Sequence, residues 1–205
     1  MGLEYCRRYQ SPTPYPQLPT KMFSFFKRDK SADADASETG APIAERAALL
    51  WKQGSRLLER KRYARAVEVM GQAYELEPSR LDGRLNLGAA LYLCNRQAEA
   101  VPHLKYVLAL EPQNTSALLN LAACYDALNM MDESIATLES LVADRPQWKD
   151  AHYNLAVAYF KQELYDQAEE ALKSELRLNP QHDRARTLLN KIHLLLPHQR
   201  QKSSS

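Results

Sequence analysis

The sequence predicts an all-α solenoid, and three observations carry that expectation. Pro78, Pro112, Pro146 and Pro180 stand 34 residues apart, one after another. Two columns of small residues follow the same period, Gly54/Gly88/Ala122/Ala156 and Ala66/Ala100/Ser134/Ala168. Large apolar residues recur beside them, at Leu57/Leu91/Tyr125/Tyr159, at Met70/Leu104/Leu138/Leu172 and at Leu87/Leu121/Leu155. Self-similarity at a fixed period of this length marks a stack of supersecondary units, each burying the apolar face of its neighbour.

Each column has a physical role. Helices cross closely only where small side chains meet, so the two small columns belong to the first and second helices of each unit. The large residues fill the space beside them. The proline ends the second helix and turns the chain toward the next unit. Asn95 and Asn129 fall between the two helices of their units, where a left-handed residue commonly ends a helix. Six glycines in 205 residues suit a helical chain.

The fourth unit reads KDAHYNLAVAYFKQELYDQAEEALKSELRLNPQH. With the 34-residue period and the small-small-Pro columns, it resembles the tetratricopeptide-repeat family from Ala47 through the last helix. The resemblance implies a right-handed superhelical solenoid of four helix-turn-helix repeats closed by a C-terminal capping helix. Three departures stand out: Gln53 where leucine is usual, Glu175 where a small residue is usual, and Pro102 inside a second helix, where it bends the helix or shifts its start.

The expected organisation follows. Residues 1–41 form an N-terminal segment and linker outside the solenoid, crowded with Pro12, Pro14, Pro16 and Pro19 and read as disordered. The solenoid spans 42–196, with repeats near 47–80, 81–114, 115–148 and 149–182. Pro42 suits the first turn of a helix running to Arg60. Second helices are expected near 63–76, 97–110, 131–144 and 165–178, and their partners start near 81, 115 and 149. A closing helix over 183–196 carries Leu188, Leu189, Ile192, Leu195 and Leu196 on one face. Pro197 is expected to stop it, leaving 197–205 as a polar tail.

Composition narrows the function. The net charge of +2 is too small to point to nucleic acid. No apolar run reaches the length of a membrane span. Cys6, Cys94 and Cys124 have no metal spacing; Cys94 and Cys124 read as packing residues, which suits a reducing, cytoplasmic setting. His103, His152, His182, His193 and His198 make no zinc signature, and no nucleophile elbow or phosphate loop is present. The reading is therefore a non-enzyme without cofactor or metal. His152 is read as structural, and Asp132-Glu133 and Glu169-Glu170 as solvated faces.

By the family resemblance, the first helices line a concave groove. Lys52, Asn86, Asn120 and Asn154 form a column there, with three asparagines that could pair with the backbone of an extended peptide. This resembles the asparagine ladder in the repeat arm of O-GlcNAc transferase. Tyr92 and Phe160, in the column Leu58/Tyr92/Asp126/Phe160, and Tyr153, in the column Trp51/Leu85/Leu119/Tyr153, add aromatic surface. Packing between repeats is the alternative reading of these two columns. A clamp for the carboxylate tail of heat-shock chaperones is disfavoured, because its cation positions hold Trp51 and Ser116, or Leu85 and Asp150.

The expected partner is a protein or peptide, with self-association as an alternative resembling the repeat protein that coats magnetosome membranes. An accessory subunit of a larger enzyme or secretion complex is a further alternative. Phe23, Phe25, Phe26, Lys27 and Arg28 could add contact with a membrane surface, and thus peripheral membrane association.

Overall fold

The computed structural model describes residues 42–148 and 150–202, with side chains to Leu196. The N-terminal proline cluster and the Phe-rich basic segment lie outside the described residues. The elements among them are helices: α1 Ile43–Glu59, α2 Tyr63–Leu76, α3 Leu81–Leu93, α4 Gln97–Leu110, α5 Thr115–Ala127, α6 Met131–Asp144, α7 Ala151–Lys161, α8 Tyr165–Leu178 and α9 Asp183–Lys202. Each odd-numbered helix packs on the even one after it, and each even one on the next odd one. The result is a solenoid of four helix pairs closed by α9.

The small columns sit where helices cross. A Cβ on Gly54 would fall against the buried Met70 side chain, and one on Gly88 would lie 2.9 Å from Leu104. Ser134 occupies a small-residue position, and its hydroxyl donates to the Ala122 carbonyl at 3.0 Å. A further column, Leu49/Gly83/Ala117/Ala151, is small in the last three repeats and holds leucine in the first. Gly83, Ala117 and Ala151 are buried, and Gly83 accepts the Trp51 indole of the preceding repeat on its bare Cα.

The turns repeat as strictly as the helices. Lys61, Asn95, Asn129 and Glu163 each close a first helix with positive φ, at 63°, 59°, 61° and 58°. Two of these are asparagines, which tolerate that region; Lys61 and Glu163 adopt it because the repeat demands it. At the other turn, the carbonyl of the repeat-ending proline is met by the next helix. His152 Nε2 lies 2.9 Å from the Pro146 oxygen, Arg186 donates to that of Pro180 at 2.6 Å, and Arg84 donates to that of Pro78.

Gln53 has a physical reason. Its column is buried at Leu87, Leu121 and Leu155, and the next column round the helix at Ala90, Cys124 and Ala158. Those positions face the preceding repeat. On α1 no described element lies before them, and they hold exposed Gln53 and Arg56.

Three expectations change. Pro102 does not shift its helix: α4 starts 34 residues after α2, and the N–H that proline lacks would have bonded only the exposed Ala98. The last repeat's first helix begins at Ala151, because Asp150 ahead of it is left-handed, with φ 65°. The closing helix does not stop at Pro197 but runs to Lys202. The carbonyl that proline leaves unbonded belongs to exposed His193, where water can satisfy it.

Candidate functional site

First helices approach one another across repeats, α1 with α3 and α3 with α5, more closely than second helices do. This places the first-helix row on the inner side of the curve. The acidic pairs expected on the outer helices are solvated: Asp132, Glu133 and Glu170 are exposed, and Glu169 is partly covered by Lys173 and His193.

The asparagine column differs from end to end. Lys52 is exposed. Asn86 is half-buried, and its amide reaches the Ser55 hydroxyl of the preceding repeat at 3.4 Å. Asn120 and Asn154 are half-buried, and their side-chain amides make no hydrogen bond among the described residues. A half-buried amide with unused donor and acceptor capacity is ready for a ligand's backbone. The open part of the ladder therefore lies in repeats three and four.

The aromatic residues divide. Phe160 is half-buried beside the Tyr165 ring, with centroids 5.5 Å apart, and Lys191 Nζ of the closing helix stands 4.7 Å above it. Tyr92 is half-buried against the core cluster that runs from the first repeat into the third. Tyr153 does not present its ring to the groove. It is buried and stacked on His182, with centroids 4.6 Å apart. Trp51, in the same column, is buried against Gly83, while Leu85 and Leu119 are half-buried against the core clusters. This column packs repeats together. Sequence reasoning missed Lys161, which bridges to Asp126 of the preceding repeat at 2.6 Å and ties α5 to α7 along the groove.

Behind Tyr153 lies a polar cluster that sequence reasoning also missed. Ligand-capable atoms of Asp150, Glu175 and His182 fall within 4.8 Å of one another. His182 Nε2 is 3.1 Å from Asp150 Oδ1 and 3.9 Å from Glu175 Oε1. Glu175 is 1% exposed, and its Oε2 accepts the Tyr153 N–H at 3.3 Å. His182 Nδ1 accepts the Ala185 N–H at 3.2 Å, capping α9. A neutral ring using Nδ1 as acceptor carries its proton on Nε2, where it donates to Asp150. Both nitrogens are thereby occupied, so a metal at Nε2 would cost the cap. The cluster binds α7, α8 and α9 together. The unusual Glu175 was its one sequence signal.

Tetratricopeptide-repeat family models match residues 52–114 and 131–183, and a second such model matches 95–152. The chain belongs to the tetratricopeptide-repeat family. The helical-repeat solenoid is that of a protein-interaction scaffold. No curated protein matches the sequence. Among solved structures it is similar to MamA (41-end) from Desulfovibrio magneticus RS-1, at 21% identity and a TM-score of 0.70, covering 80% of this chain and 92% of that one. It is also similar to YrrB, described as a tetratricopeptide-repeat protein with an unusual peptide-binding site, at 23% identity and a TM-score of 0.65, covering 69% and 73%. At these identities the likeness is one of fold. Among the described residues, no helix is long and apolar enough to cross a membrane.

Proposed function

We propose that this tetratricopeptide-repeat chain is a non-catalytic adaptor that holds an extended peptide segment of a partner protein along its inner groove. The observation that carries the reading is the pair of unengaged, half-buried amides of Asn120 and Asn154, one repeat apart on the inner helices. Amides in a ladder read the peptide backbone, so the fit depends little on partner sequence. The described peptide-binding site of YrrB, a protein of like fold, is consistent with this reading. The thiols of Cys94 and Cys124, neither of them in a disulfide, suit a cytoplasmic setting.

The test is a binding titration against a selected peptide. Asn120→Ala and Asn154→Ala should each weaken binding by about 0.5–1.5 kcal/mol, as for a lost hydrogen bond. Unchanged affinity in the folded double variant would reject the ladder.

A second reading is a self-assembling scaffold. Ile43 and Leu49 of α1 are 67% and 60% exposed, an apolar surface that a second copy could cover. Light scattering across a concentration series separates the two: a size that grows with concentration favours assembly, and a constant monomer removes it.

A further inference from the structure

The adaptor reading leaves open what kind of peptide the groove takes, and the end of the groove next to α9 bears on this. Asp126 and Asp183 are the acidic residues of α5, α7 and α9. Both are engaged, Asp126 with Lys161 at 2.6 Å and Asp183 with Arg186 at 3.2 Å. Lys191 has no carboxylate partner among the described residues; its ammonium rests over the Phe160 ring. Leu194, one repeat period after Phe160, is 74% exposed on the same closing helix. An uncompensated cation held on an aromatic face of the helix that also carries Asn154, with an exposed leucine three residues along α9, is complementary to an acidic side chain with an apolar neighbour.

We propose that Phe160, Lys191 and Leu194 form a specificity subsite for an acidic residue next to an apolar one in the bound peptide. This rests on the groove reading. Lys191 fixes the position of the carboxylate, and Phe160 and Leu194 take the apolar side chain. The cation–ring contact pre-positions the ammonium, so little side-chain freedom is lost when the carboxylate arrives. Exposed charge pairing is screened by salt, so the preference weakens as ionic strength rises.

The experiment selects binders to the full chain from a random-peptide phage library, then measures them by fluorescence anisotropy. Each peptide is also made with its acidic residues replaced by amides. The variants are Lys191→Gln, Phe160→Leu and the Asn120→Ala/Asn154→Ala pair. Lys191 is exposed, so its replacement leaves the fold intact. The expected result is enrichment of acidic–apolar pairs, with binding weakened about two- to fivefold by Lys191→Gln or by amidation of the peptide, and less so at high salt. Binders that need the two asparagines yet are indifferent to Lys191→Gln and to amidation overturn the subsite and leave the groove reading standing. Binders indifferent to the asparagines, or no binders, overturn both.

Discussion

The His182 ring reaches back to Asp150, its Nε2 3.1 Å from Oδ1, while its Nδ1 accepts the Ala185 N–H at 3.2 Å. One imidazole thus joins the start of the last repeat to the start of the closing helix. His182→Ala removes the cap and leaves the Asp150 and Glu175 carboxylates within 4.8 Å of each other with no ring between them. The expected loss is about 2–3 kcal/mol in urea unfolding. Glu175→Gln keeps an acceptor for the Tyr153 N–H and should stay within about 1 kcal/mol of the parent. It should also restore part of the His182→Ala loss in a double-mutant cycle. Simple additivity would show that the three groups do not act together.

Two glycines should respond oppositely to alanine. A Cβ on Gly83 would stand 2.7 Å from Cε2 of buried Trp51, whose rigid indole has nowhere to move. Gly83→Ala should cost about 1–3 kcal/mol. A Cβ on Gly71 meets nothing within 4 Å, and Gly71→Ala should gain up to about 1 kcal/mol from helix propensity. Thermal unfolding of the two variants side by side checks the sign of each.

Glu163 holds a φ of 58° at the turn where two other repeats place asparagine. A left-handed residue with a long side chain costs about 1–2 kcal/mol, and asparagine recovers part of that. Glu163→Asn should raise stability by about 0.5–1 kcal/mol, measured by urea denaturation. A loss instead would show that the Glu163 side chain contributes more than its backbone costs.

Burial holds the His103 imidazole below its usual pKa of 6.5, and the nearby Arg84 guanidinium adds to this while Glu99 opposes it. The Tyr74 ring meets it edge-on, with centroids 4.9 Å apart. The folded state therefore takes up the proton less readily than the unfolded chain. Stability from this group is present above pH 6.5 and is lost as pH falls through the lowered folded value. His103→Gln should flatten the decline that sets in as pH falls below 6.5. A pH profile identical to the parent would rule out His103 as its source.

Much of this architecture was legible because the period is strict. The prolines and small columns located each second helix to the residue, from Tyr63–Leu76 to Tyr165–Leu178. The left-handed turns at Lys61 and Glu163 were legible only through register, since neither residue type favours that conformation. The groove was less legible. Column membership placed Tyr153 beside the asparagines, yet it could not show that the His182 ring covers it. The cluster of Asp150, Glu175 and His182 has no motif, because three separate helix ends bring its members together. The Asp126–Lys161 bridge was hidden for a similar reason: its partners come from different rows of adjacent repeats.

Gln53 and Arg56 make the four repeats unequal. Moved into the interior of the array, the first repeat would bring a guanidinium to the place where Ala90, Cys124 and Ala158 are sealed from water. Duplicating or shuffling the repeats would therefore succeed for the second, third and fourth but not for the first. A further repeat could not simply be stacked ahead of it, so any self-assembly through this end would have to invent a contact unlike those inside the chain.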